Sequence, residues 1–360
     1  MTVIKYAIIV ALVILSSEIF SRMLFTKIRG MKRFSVGVEI CDYIAAQRSV
    51  NDRNADKSKH FFEPRPYGLY WNSPNFFSNG FKQTDKHGFR YKGYDVKLEK
   101  ESFRVLVYGG STTFSDHFIQ DPAECWPYLV EKFFNSSSNQ KIEVINAGLN
   151  WATSAELLSH FVFEGKTFSP DLLIIEGPGN DSLPISNGDK SPDYRDTRSA
   201  VRWQVRKYES FLVNYLAIFK ILYTLWLRDH DLLKLEPTDT PNYAIQNKRL
   251  LETYPTVYEK NINTFIEIAI QMKIKVVLVD FLASYFVISE GKKAIYRRMN
   301  EVLESFVSKY PNDVYYYDLS LNSFEKNDFA DPGHLSKKGE FKKAQIIYGR
   351  LSADFLSKLS

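Results

Sequence analysis

Cysteine is nearly absent: the 360 residues hold two, Cys41 and Cys125. Neither sits in a C-x-x-C pair, and no Cys/His cluster has metal-ligand spacing, so the sequence calls for no metal and no cofactor. Both a Cys41–Cys125 disulfide outside the cytoplasm and two buried free thiols fit this pattern. Charge of one sign is not in excess either. The net charge is +5 and spread along the chain, which gives no reason to expect a nucleic-acid partner. Internal repeats and low-complexity tracts are missing. What the chain does have is apolar mass: 44% hydrophobic residues, with 27 Phe and 22 Tyr. That supplies core for one large or two modest domains.

The amino end reads as separate from the globular part. Tyr6 to Leu15 is unbroken apolar sequence, continuing with interruptions to Phe25. Glu18 and Arg22 interrupt it four residues apart and can pair on one helix face. The run suits a cleaved signal peptide or a single membrane anchor of roughly 20 residues. No A-x-A-like cleavage site is evident, so residues 1–30 are read as the anchor. Lys5 alone precedes the run, whereas Arg22, Lys27, Arg29, Lys32 and Arg33 follow it. The positive-inside tendency would place the rest of the chain in the cytoplasm, but large domains translocate largely regardless of charge.

Residues 31–100 read as a linker followed by a loop-rich segment, with Phe61-Phe62-Glu63-Pro64-Arg65-Pro66 and His87-Gly88-Phe89-Arg90 packed as short strands or turns on the main domain. His60 and His87 read as structural or exposed. From there strands and helices alternate. Strands are expected at 104–108, 142–147, 172–176, 275–281 and 314–319. Helices are expected at 126–134, from a Ser154 cap to about Glu164, and at 256–272, 294–309 and 337–359, with 112–125 as a loop. Residues 182–255 form an insertion. Within it Phe211 to Leu227 is apolar nearly all round, read as a cap helix over a second span because Asn214 and Lys220 break it. Such alternation implies an α/β fold with a parallel sheet and helices on both faces.

The chemistry gathers at strand ends. The first strand runs into Gly109-Gly110-Ser111-Thr112-Thr113, a turn whose glycines let the backbone bend sharply and approach a ligand. Asn146-Ala147-Gly148-Leu149-Asn150 follows the second strand and Gly179-Asn180-Asp181 the third; Asp331-Pro332-Gly333-His334 comes after the fifth. In a doubly wound sheet these ends line one edge. A serine hydroxyl needs an adjacent base, an imidazole supplies one near neutral pH, and a carboxylate fixes its tautomer. Glycine amides and an asparagine amide provide donors for an oxyanion.

These four blocks, in this order, resemble the SGNH (GDSL-like) hydrolase superfamily over about residues 100–357. The resemblance implies a three-layer α/β/α sandwich with a five-stranded parallel sheet, flavodoxin-like, and hydrolysis or transfer of ester-linked acyl groups. It implies Ser111 as nucleophile and His334 as base with Asp331 as its partner. The oxyanion hole would be the Ser111 amide, the Gly148 amide and the Asn180 side chain. Gly110 departs from the family's frequent Asp. With the anchor and His87–Arg90 it resembles a bacterial membrane-anchored subset linked to cell-surface polysaccharide modification.

The expected activity is therefore a serine esterase that deacylates a carbohydrate or other extracytoplasmic ester, held to the membrane by a single pass. Two alternatives use the same chain: an O-acyltransferase acting on a cell-surface polysaccharide, and a non-catalytic tethered binding protein with a relic site, its insertion around Trp203, Tyr208 and Trp226 meeting a partner. Asp116 and His117 rival His334 by closeness in sequence, and geometry decides between them. His160 and His230 read as structural or exposed, and Asp181 as a cap for the segment after it.

Overall fold

The computed structural model describes residues 61–65, 69–137, 141–194, 197, 242–284, 288–319 and 323–355, together with helical residues among 6–23. Most of the expected anchor, the linker to residue 60, the run 211–227, Cys41, His60 and His230 lie outside the described residues. Among the described residues no helix is long and apolar enough to cross a membrane. The chain divides into two compact units, Met1–Ile44 with Ser199–Asn242, and Ala45–Arg198 with Tyr243–Ser360. Everything below concerns the second.

Two hairpins open it: β1 (Phe62–Arg65) with β2 (Leu69–Asn72), and β3 (Phe77–Ser78) with β4 (Phe81–Lys82). The segment 61–100 belongs to the same unit as the sheet. Then follow β5 (Phe103–Gly109), α1 (Ser111–Phe114), α2 (Trp126–Ser137), β6 (Ile142–Gly148), α3 (Ser154–Phe163), β7 (Leu172–Glu176) and α4 (Ser182–Asn187). The chain continues with α5 (Tyr243–Glu252), α6 (Thr256–Gln271), β8 (Lys275–Val279), α7 (Glu290–Lys309), β9 (Val314–Tyr317) and α8 (Lys337–Phe355).

The five strands β6-β5-β7-β8-β9 pair in that order, all parallel, with Gly109 opposite Gly148 and Tyr108 opposite Ile175. Their apolar, β-branched runs are buried on both faces, as a central parallel sheet requires. Val105, Val107, Ile174 and Val277 share a core with Trp126, Val130 and Phe134 of α2 and Ala344, Ile347 and Leu351 of α8. On the opposite face Tyr108 meets Phe161 of α3 and Phe265 of α6 edge-on. Side chains that alternate along each strand thereby fill two helical layers.

Several element ends differ from expectation. Thr153, not Ser154, caps α3 in a capping box with Glu156, because the pairing needs Glu three residues on. Ser289 caps α7, which begins at Glu290, four residues before the expected start. The first four residues of the expected loop 112–125 are helical or run straight from a helical turn. Cys125 is free and buried, its thiol pushed up to about 12 by desolvation.

Candidate active site

Connections leave β5 towards β6 and leave β7 towards β8, on opposite sides, so a crevice opens between the carboxyl ends of β5 and β7. Ser111 lies at one of these ends and Asn180 at the other. A Cβ at Gly109 would fall 1.9 Å from Thr113 Oγ1, so only glycine lets the strand turn into α1 there. Gly110 is extended, and a Cβ on it would stand 3.4 Å from Asn180 Nδ2. Ser111 is then the first residue of α1, where backbone amides have no partner inside the helix.

His334 reaches this serine from the loop before α8. Its Nε2 is 2.8 Å from Ser111 Oγ, and its Nδ1 is 2.8 and 2.9 Å from the two Asp331 oxygens. Asp331 Oδ1 also accepts from the amides of Gly333 and His334, each at 2.7 Å. The loop closes on itself through Ala330 N–H to His334 O, 2.9 Å, and Ser284 N–H binds Pro332 O at 2.8 Å. Burial acts to raise the Asp331 pKa, but the hydrogen bond and charge of His334 and the two amides outweigh it and hold the carboxyl below its ordinary value.

The rival histidine is at the same place in another role. The His117 ring stacks on His334 with centroids 4.6 Å apart and planes at 4°, while Asp116 accepts from Asn150 Nδ2 at 2.9 Å. The imidazole on the serine is that of His334.

Asn180 Nδ2 donates to Ala152 O at 3.0 Å. That orients its amide beside Gly110 and leaves the group a second hydrogen to donate. Gly148 ends β6 opposite Gly109. Its amide donates to Asn146 Oδ1 at 2.9 Å, and a Cβ there would fall 2.4 Å from Phe114 N. The glycine serves close packing of β6 against α1, and its N–H is engaged within its own strand end. Asp181 stands at the N-cap position of α4 but gives that helix no side-chain hydrogen bond. Its carboxylate takes Ser154 N–H at 2.8 Å and Ser154 Oγ–H at 2.6 Å, across at α3, and desolvation pushes it up to about 7.

A set of buried charges under the serine turn was not anticipated. Lys343 Nζ meets Glu176 Oε1 at 2.7 Å, and Thr113 Oγ1 donates to the other Glu176 oxygen. Glu340 accepts from Ser115 Oγ at 3.0 Å and Trp126 N at 2.7 Å, and burial pushes it up to about 7. Asn146 Nδ2 donates to Thr113 O at 2.8 Å. The only visible signal was a Glu and a Lys on the same face of α8 as Ala344, Ile347 and Leu351.

The amino-terminal segment holds the other wall. Asn72 Nδ2 donates to Gly148 O at 2.9 Å and Gly88 O at 3.2 Å, and Arg90 N–H to Asn146 O at 3.0 Å. Gly88 has φ +84°, and a Cβ on it would meet Asn72 O at 2.4 Å. His160 is structural: its Nδ1 lies 2.7 Å from Tyr108 OH and its ring stacks on Trp71. A cavity of about 640 Å³ beside β9, lined by Tyr315, Tyr317, Arg350 and Asp354 among others, shares no residue with the site. Among the described residues no cluster of His, Cys, Asp and Glu is placed to hold a metal ion.

No protein-family model and no curated protein matches the chain. Solved structures do. An acetylxylan esterase from Geobacillus stearothermophilus, as a catalytic mutant, is 11% identical over 71% of this chain and 96% of its own, with a TM-score of 0.45. An esterase from Pseudoalteromonas is 12% identical over 70% and 98%, TM-score 0.41. A GDSL-like lipase from Bacteroides thetaiotaomicron is 15% identical over 72% and 92%, TM-score 0.39. The structural neighbours are GDSL-type hydrolases and esterases.

Proposed function

We propose that the protein is a serine ester hydrolase of the SGNH (GDSL-like) superfamily, and that its substrate is an O-acylated carbohydrate. The observation that carries the reaction type is the unbroken chain Ser111 Oγ, His334 Nε2, His334 Nδ1, Asp331, with every link at 2.8–2.9 Å. His334 takes the serine proton as Oγ attacks the ester carbonyl, and Asp331 stabilises the imidazolium so formed. The Ser111 amide and the Asn180 side chain face the developing oxyanion, while the Gly148 amide donates to Asn146 Oδ1. Proton return from His334 releases the alcohol. A water activated by the same imidazole then hydrolyses the acyl-enzyme.

Hydrolysis of 4-nitrophenyl acetate tests this. Ser111→Ala is expected to lower kcat by roughly 10⁶-fold, the scale of losing an activated nucleophile. Turnover within a factor of ten of the unaltered protein contradicts it.

The apolar run of residues 6–15 further supports a single-pass anchor, and the resemblance to the membrane-anchored subset supports a hydrolase outside the cytoplasm. Alkaline phosphatase fused after Ser360, which needs oxidising conditions for its disulfides, is expected to be active in a bacterial host. An inactive fusion overturns that location and leaves the ester chemistry standing.

A further inference from the structure

Hydrogen bonds at Nδ1 and Nε2 fix two points of the His334 ring and leave one motion open. The imidazole can still rock about the line that joins those points. Only what packs against the ring resists that rocking. A base that rocks loses its alignment with the hydroxyl, and small misplacements of a reacting group cost rate steeply.

One face of the ring is covered by His117, with planes 4° apart and centroids at 4.6 Å. Phe118, next in the chain, lies at 54° to the same ring with its centroid at 6.0 Å. Aromatic rings at these separations attract one another beyond simple burial. Two consecutive residues of one turn therefore confine the His334 imidazole. The turn follows α1 directly, and it is held on each side of the rings. Ser115 N–H binds Ser111 O at 2.8 Å, and Ser115 Oγ–H binds Glu340 at 3.0 Å. Asp116 accepts from Asn150 Nδ2 at 2.9 Å. Beyond the rings, Ile119 O accepts from Nη2 of the buried Arg90 at 2.7 Å and Gln120 O from Gln83 Nε2 at 3.2 Å. His117 thus stands on a support that begins at the helix of the serine and is pinned to the amino-terminal segment.

We propose that His117 is a positioning residue for the base: its ring, flat on His334, holds the imidazole in the line from Ser111 to Asp331 and turns an aromatic face to the imidazolium formed as the serine attacks. The proposal rests on the ester-hydrolase reading and adds to it a residue that acts through His334. His117 takes no proton from the serine, because Nε2 of His334 occupies that place, and its own Nδ1 faces Asp116 Oδ1 at 3.6 Å. Its contact with the base is ring to ring. A cation over the face of a neighbouring aromatic ring is stabilised by it. His334 gains its charge only on the way to the transition state, so the loss of the stack is read in kcat and not in KM.

The test uses the full-length protein and hydrolysis of 4-nitrophenyl acetate at about pH 8, above the ordinary range of histidine titration. His117→Ala is expected to lower kcat about tenfold, with KM held within about twofold. His117→Phe keeps a ring on the His334 face and is expected to recover most of the loss. The His117 side chain is 33% exposed, and thermal unfolding checks that both variants are folded. A second readout needs no ester. The proton between His334 Nδ1 and Asp331 is followed by proton NMR, its signal identified by its loss in His334→Ala. Its exchange with water is expected to quicken about tenfold in His117→Ala, on the scale of one aromatic pair, and to stay near the unaltered rate in His117→Phe. An unchanged kcat in His117→Ala overturns the proposal, as does an equal fall in His117→Phe or a loss confined to KM. If the unaltered protein hydrolyses no ester, the hydrolase reading fails and the exchange rates decide alone. Equal rates in the three proteins then overturn the proposal, and faster exchange in His117→Ala alone supports it.

Discussion

Two residues apart on one helical turn, Ser111 and Thr113 each touch an acid–base pair. Thr113 meets Glu176, which meets Lys343 Nζ at 2.7 Å with side chains 0% and 1% exposed. Ser111 meets His334, which meets Asp331 at 2.8 Å with side chains 19% and 33% exposed. The lengths are nearly equal and the uses are opposite. The inner pair is sealed, and Lys343 also lies 4.6 Å from the centre of the Trp126 ring. Its charges hold α8, β7 and α1 in register, and no substrate reaches them. The outer pair is half open and ends on a hydroxyl at the crevice. Burial, and the group at the end of the chain, set the sealed pair apart from the pair at the crevice.

Breaking the outer pair should cost rate and spare the fold. Asp331→Asn is expected to lower kcat for an acetyl ester by roughly 10⁴-fold, because the wrong tautomer is then held, with the melting temperature little moved. Steady-state kinetics beside thermal unfolding checks both halves. Breaking the inner pair should do the reverse. Lys343→Met leaves Glu176 buried without its cation and is expected to destabilise the fold by about 3–5 kcal/mol, read by urea unfolding. A Lys343→Met protein as stable as the unaltered one, yet catalytically dead, would erase the contrast.

The smallest expected effect concerns pH. Asp181, Asp280 and Glu340 are each pushed up to about 7, chiefly by desolvation. The folded chain then binds more protons than the unfolded one between about pH 4 and pH 7. Their contribution to stability is fully present below that window and is lost as pH rises through it. Asp181→Asn removes one such group and should flatten the fall, by up to about 1.4 kcal/mol per pH unit. Unfolding free energies at pH 5, 6 and 7 measure it; an unchanged slope would remove Asp181 from the account.

The strands and the meeting of Ser111, His334 and Asp331 were legible because each rests on a local pattern. Val105–Tyr108 is an apolar run ending in two glycines, and Asp331-Pro332-Gly333-His334 places both triad partners on one turn. Gly148 is harder to read, because a glycine after a strand has two uses, a free amide or close packing. Only the position of Asn146 Oδ1 and Phe114 N tells them apart. The Thr153 cap was missed by one residue, the usual error when Thr and Ser stand side by side. Glu176 and Lys343 are 167 residues apart, and no local pattern links them.

The claim that Ser111 is the nucleophile is tested most directly by a fluorophosphonate, which bonds covalently to an activated serine. Incubation of the purified protein, followed by peptide mass spectrometry, should find one adduct, on Ser111, formed far more slowly in His334→Ala. Labelling elsewhere, or none at Ser111 in a folded protein, would contradict it.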